Sequence, residues 1–236
     1  MKKRIWELDA LRGICVLGML LVHLIYDLTE MYGLLDWEYS PLFDFIKNYG
    51  GILFVLISGL CASFSANHLK RGLTVLGCGI LCTLVTLALV LFGFSDSGTV
   101  IWFGVLHCLG VCMLLWQFLR RLPSWALIAL GLPMAVAGHI VFNLYLVNHP
   151  WFILFGITPK WFVTPDYFPL LPHLGYYLLG AFLGRTLYKN RVSLFPKVRP
   201  NPLLRFLQGC GKYSLPIYLV HQPLFMALCM LPDLFR

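Results

Sequence analysis

Seven stretches of mostly apolar residues alternate with short polar, Gly- or Pro-containing breaks along the 236-residue chain. They run approximately over 10–28, 49–66, 74–94, 100–119, 125–142, 168–188 and 213–231. Each is close to the roughly 20 residues that an α-helix needs to cross a hydrocarbon core. Helices are the predicted elements, because an open strand would leave unpaired backbone groups in lipid. The breaks at 67–72, 95–99, 120–124 and 190–202 carry the turn-forming and charged residues. No internal repeat or low-complexity tract interrupts the pattern.

Composition sharpens this picture. The chain is 59% hydrophobic and 12% charged, against about 45–50% and about 25% for a soluble domain. A soluble fold could not cover that apolar surface with 28 charged side chains, the sum of 18 basic and 10 acidic. The net charge of +8 forms no stripe beside a folded core, so a nucleic-acid partner is not expected. The eight Cys are scattered through apolar segments, which argues against a disulfide-stapled secreted module. The expected fold is all-α: one polytopic transmembrane bundle of about seven spans covering 1–236.

Lys and Arg set its orientation. With the N-terminus inside, Lys2, Lys3, Arg4, Arg12, Lys70, Arg71, Arg120, Arg121, Arg185 and the basic residues between Lys189 and Lys212 all lie at cytoplasmic ends, leaving Lys47, Lys160 and Arg236 outside. The positive-inside rule then places the N-terminus in the cytoplasm and the C-terminus outside. Eight of the ten acidic residues, including Asp27 and Asp166, fall on the external side. The basic start followed by an apolar run has no small-residue cleavage site, so it reads as a retained first span. The external stretch 143–167, with Trp151, Phe152, Trp161 and Phe162, reads as an aromatic segment at the outer interface or dipping into the bundle. Basic inner ends also suit anionic lipid or an anionic cytosolic substrate.

Ionisable groups inside spans are costly and mark candidate sites. Arg12 stands at the inner end of the first span; His23 and Asp27 follow, four residues apart on one helical face. A carboxylate one turn from an imidazole can hold its tautomer and stabilise the imidazolium, as a general base requires; the same pair could equally hold helices together. His107, seven residues into the fourth span, and His173, near the outer start of the sixth, fall at depths similar to His23. His221, counted from a span starting at Tyr213, is expected deeper, toward the inner half. Histidines at two depths suggest a polar passage. His68, His139 and His149 are assigned no role.

Cys78/Cys82 and Cys108/Cys112 are i,i+4 pairs on neighbouring spans, but Cys is a common small buried residue and no metal is expected. His23 and His107 at matched depth keep haem or quinone chemistry as an alternative. Gly50–Gly51, Ser58–Gly59, Gly77–Gly79 and Gly175–Gly180–Gly184 permit close helix approach. Gly50–Gly51, at the expected outer start of the second span, could also offer backbone N–H groups to an anion.

The segment 4–13 (RIWELDALRG), followed by 23–28 (HLIYDL), resembles bacterial membrane proteins carrying the catalytic domain of heparan-α-glucosaminide N-acetyltransferase. The stretches 102–110 (WFGVLHCLG), 166–172 (DYFPLLP), 180–184 (GAFLG) and 213–223 (YSLPIYLVHQP) match in order. The spacing from Arg12 to His23 is also similar to the first-span signature of the acyltransferase-3 group.

The resemblance implies an acetyltransferase of the bacterial inner membrane. It implies acetyl-CoA as cytosolic donor and an envelope saccharide or lipid-linked sugar as acceptor; self-association into a homo-oligomer is left open. In that reading His23 with Asp27 is base or acyl carrier, and His107 contacts the thioester or acceptor. Arg12, Lys70 and Arg71 meet CoA, His221 and Gln222 line the thioester's route, His173 is a further substrate- or acyl-CoA-binding residue, and Asp166 contacts the acceptor. The lysosomal members are longer and place their catalytic histidine beyond the first span, where this chain has no His between Leu24 and Asn67. A small-molecule transporter, with the same groups lining a substrate path, is the leading alternative.

Overall fold

The computed structural model describes residues 4–65, 67–142 and 149–234. Among them eight α-helices form: α1 (Trp6–Tyr26), α2 (Pro41–Ala62), α3 (His68–Leu91), α4 (Val105–Leu119), α5 (Ser124–Phe142), α6 (Leu170–Leu187), α7 (Pro202–Lys212) and α8 (Ser214–Leu234). No strand forms among the described residues beyond one isolated bridge between Phe103 and Tyr167. Four helical segments are long and apolar enough to cross a membrane: 6–31, 41–62, 68–91 and 124–141. Shorter apolar helices occupy 105–119 and 214–229. Helices thus stand near all seven apolar stretches, and α7 is an additional one that hydropathy did not mark. Pro202 opens it, and the Asn201 side chain accepts the Leu204 N–H at 2.8 Å.

Several starts differ from the expected ones: α1 begins at Trp6 rather than near 10, and α3 at His68 rather than near 74, so most of the expected break at 67–72 is helical. α2 begins at Pro41, so Gly50 and Gly51 lie well inside it, with their N–H groups spent in the helix; they offer nothing to an anion. α4 begins at Val105 rather than near Val100, because Gly104 is extended (φ −85°, ψ −176°). His107 therefore sits in the first turn of its helix, not seven residues into a span.

The chain divides into two compact units, one formed by 1–54 with 191–236 and the other by 55–190. In the first unit α1 packs against α7 and α8. Between the buried Leu8 and Ile25 its inward stripe is small, with Ala10, Gly13 and Val16 buried, whereas Leu11, Ile14 and Leu21 point outward. That inversion suits a helix in an apolar solvent, where close packing replaces the hydrophobic effect. A side chain on Gly13 would overlap the Leu207 carbonyl, and one on Gly211 would overlap the Asp9 carbonyl. Each clash falls on the carbonyl four residues before the facing glycine, the mark of two parallel helices touching backbone to backbone. The buried carboxylate of Glu7 then ties the returning chain to α1, accepting the Leu194 N–H at 2.7 Å and the Ser193 hydroxyl at 2.8 Å.

The second unit uses the same device. Gly59 meets Tyr177, Gly180 meets Leu56, and Gly184 meets Leu60 and Ser63, so the later part of α2 runs parallel to α6. α3 and α4 are antiparallel, with Gly110 against Leu76 and Gly79 against His107. α5 and α6 are antiparallel through Gly131, Gly175 and Gly138. Of the glycines expected to serve packing, Gly77 faces open space and Gly50 touches only the Ile46 side chain.

Candidate active site

In the first unit α1 and α8 bring together five of the expected polar residues, Arg12, His23, Asp27, His221 and Gln222; the other five lie in the second unit. Near one end, Arg12 Nη2 donates to the buried Ser214 hydroxyl at 3.0 Å, and the guanidinium lies 6.0 Å from the Phe54 ring. Eleven residues along α1, about 16 Å, the imidazoles of His23 and His221 meet, with centroids 4.9 Å apart and ring planes at 62°. One turn further, Asp27 is 1% exposed and accepts from Gln222 Nε2 at both oxygens, 3.1 and 3.0 Å.

Two expectations are corrected here. His221 is level with His23, not deeper, because the Gly13–Gly211 contact sets α1 beside the α7–α8 segment with equal residue counts, ten, to each histidine. Asp27 does not hold the His23 imidazole: among the described residues no hydrogen bond joins them, and the carboxylate faces Gln222. The α-helix gives way at Asp27 to a π-helical turn, Asp27–Met31, in which Tyr32 N–H reaches back to the Asp27 carbonyl at 2.9 Å.

The protonation pattern of His221 follows from its partner. Its Nδ1 lies 2.5 Å from the Tyr218 carbonyl, which can only accept, so Nδ1 carries the proton and Nε2 holds a lone pair. That Nε2 is buried with no hydrogen-bond partner among the described residues, as is Gln222 Oε1. Two buried acceptors beside a carboxylate are thus able to accept from an N–H or O–H group.

A family model described as heparan-alpha-glucosaminide N-acetyltransferase, catalytic, matches residues 4–223. The chain belongs to this family. The match makes it a member of a group of membrane N-acetyltransferases and spans nearly all of both units. No curated protein and no solved structure matches the chain.

In the second unit of this acetyltransferase-family chain, His107 and Asp166 build the start of α4. His107 Nδ1 accepts the Gly104 N–H at 3.2 Å, and its Nε2–H then donates to Thr83 Oγ1 at 3.2 Å, which itself donates to the Ile101 carbonyl at 2.6 Å. Asp166 Oδ2 accepts the Val105 N–H at 3.1 Å and fills the place a Gly104 side chain would need. Both groups thus satisfy orphan donors at a helix N-terminus. Beside them the Tyr167 hydroxyl donates to the Ile153 carbonyl at 2.5 Å, and burial pushes that phenol well above its usual range, only partly opposed by the Gly156 backbone. His173 Nδ1–H donates to the Pro169 carbonyl at 2.7 Å. The His139 imidazole, given no role from sequence, bonds the Tyr176 hydroxyl.

Apart from Lys160, the basic residues of this unit stand near the other ends of its helices. Arg71 Nη1 donates to Ser65 Oγ at 3.3 Å, and Lys70 is exposed in the same turn. Arg185 donates to the carbonyls of Leu122 and Arg120, both at 2.6 Å, and lies 5.2 Å over the Trp116 ring. Among the described residues no group of three or more His, Cys, Asp or Glu could hold a metal ion.

Proposed function

We propose that the protein transfers an acetyl group from cytosolic acetyl-CoA to an amine or hydroxyl of a cell-envelope saccharide, at the imidazole pair formed by His23 and His221. The observation that carries this reading is the buried, unpaired Nε2 lone pair of His221 beside His23. As the acceptor nitrogen or oxygen attacks the thioester carbonyl, His221 Nε2 takes its proton. The C–S bond breaks, and the departing CoA thiolate recovers a proton as the free thiol. His23 either hydrogen-bonds the thioester oxygen or carries the acetyl group between donor and acceptor. Asp27, held by Gln222, supplies the negative charge that favours an imidazolium nearby.

Arg12 of the first unit is assigned to the phosphates of CoA. In the second unit His107 and Asp166 fix the start of α4. The protein is placed in the bacterial inner membrane with seven crossings, N-terminus inside and C-terminus outside, as the Lys and Arg distribution supports. Reporter fusions after residues 28, 66, 119 and 188 test this: activity of a periplasm-only reporter after residue 66 or 188 overturns the orientation.

The decisive experiment incubates the purified protein with acetyl-CoA labelled in the acetyl group, alone and with envelope fractions. Transfer of label to saccharide, abolished in His221→Ala, is expected. Acid-labile label on the protein, lost in His23→Ala, assigns His23 as carrier. Inertness toward acetyl-CoA in every combination overturns the proposal.

A further inference from the structure

Beside the imidazole pair, a groove of 470 Å³ runs between α1 and α8. It is lined by Leu20 of α1 and by Ile217, Val220, His221, Leu224 and Phe225 of α8, and it begins at Tyr213. From Tyr213 to Phe225 is twelve residues, about 18 Å of helix. The walls present carbon atoms throughout, and the groove is open along one side, with Val220 and Leu224 about half exposed (58% and 51%). His221 is shared: ring carbons line the groove, while Nε2 is sealed behind them, beside His23.

We infer that this groove takes the hydrocarbon chain of a lipid-borne saccharide acceptor, which enters sideways from the bilayer and presents its sugar at the level of His23 and His221. The inference rests on the acetyltransferase reading and narrows its acceptor to an amphiphile. Two features favour this occupant. A pantetheine arm carries two amides, and a carbon-walled groove leaves both without partners. A hydrocarbon chain needs none. The groove also shares a residue with the candidate site, so a chain lying in it buttresses the imidazole whose lone pair lies behind the wall. A lipid tail gains little by leaving surrounding lipid for an apolar groove, so the groove supplies position more than affinity.

The test uses the full chain in lipid nanodiscs with glucosamine, an alkyl glucosaminide, and the same glucosaminide bearing a photoreactive diazirine in its tail. Expected is cross-linking within 213–225, competed by the unmodified alkyl glucosaminide but not by phosphatidylcholine of equal chain length or by acetyl-CoA. Val220→Trp, which fills the groove from its lipid side, should cut labelling within 213–225 about tenfold and lower kcat/KM for the tailed acceptor about tenfold. It should leave kcat/KM for untailed glucosamine unchanged; Leu224→Trp serves as an independent second variant. A tail by itself lowers KM through partition into the bilayer, so the effect of the filled groove decides. Equal competition by phosphatidylcholine marks ordinary boundary lipid, and competition by acetyl-CoA marks the donor's arm; either overturns the inference, as does a tail effect that survives both tryptophans. Cross-linking needs no turnover. Specific labelling without transfer to any acceptor would therefore fail the enzymatic reading alone, and transfer without specific labelling would fail the groove alone.

Discussion

His221 and His23 stand ring against ring, 4.9 Å between centroids, and the Tyr218 carbonyl fixes which nitrogen of His221 bears the proton. A base prepared in this way needs no further rearrangement of its own proton before accepting another. His221→Ala should lower acetyl transfer about 10²–10⁴-fold with membrane expression unchanged. His23→Ala should lower it by at least as much if His23 carries the acetyl group. Wild-type rates in both variants, measured with labelled acetyl-CoA, would remove the pair from the chemistry.

Gln222 has a measurable structural duty as well. Both Asp27 oxygens take its amide, so Gln222→Leu leaves a buried carboxylate without its donor. A loss of about 1.5–3 kcal/mol is expected, the range for hydrogen bonds to charged groups. Thermal unfolding in detergent reads it. The double variant Asp27→Leu/Gln222→Leu should be less damaged than the sum of the singles, since both partners are then removed together.

The backbone contact of α1 with α7 predicts a contrast between glycines. Gly13→Leu or Gly211→Leu forces the helices apart, at a cost of about 1–3 kcal/mol for overpacking, or more, and should depress activity with it. Gly77→Ala adds a methyl to open space and should stabilise α3 by up to about 1 kcal/mol. Melting temperatures of the three variants check the sign of each.

At the start of α4, Asp166→Asn keeps an oxygen for the Val105 N–H, whereas Asp166→Ala does not. The alanine should cost about 1 kcal/mol, as lost helix caps do, and the asparagine much less. If Asp166 instead contacts the acceptor, asparagine and alanine will raise KM alike while stability separates them. Steady-state kinetics beside thermal melts distinguishes the two roles.

Hydropathy marked helices at all seven apolar stretches because burial in lipid demands long uninterrupted runs, and it grouped Arg12, His23 and Asp27 because they share one helix. Other features were beyond it. α7 was hidden because its sequence, PLLRFLQGCGK, mixes apolar and basic residues as an amphipathic helix does; the Asn201-Pro202 pair was its signal. The partnership of Asp27 with Gln222 joins residues 195 apart, which local spacing cannot reveal. Counting from a span end puts His221 too deep, because the Gly13–Gly211 contact sets its level. Counting His107 as seven residues into its helix holds only for a start near Val100; the Trp102-Phe103-Gly104 stretch is the local sign of the later start at Val105.

The first unit is assembled from the two ends of the chain, with 55–190 between them. During translation Asp27 and His23 emerge long before Gln222 and His221. At about 5–20 residues per second the wait is on the order of 10–40 s. Throughout that interval a carboxylate destined for burial has no amide to meet it, and the Asp27–Gln222 pair cannot form until α8 has been made. A ribosome that stops early therefore leaves Asp27 without the amide it binds in the finished chain.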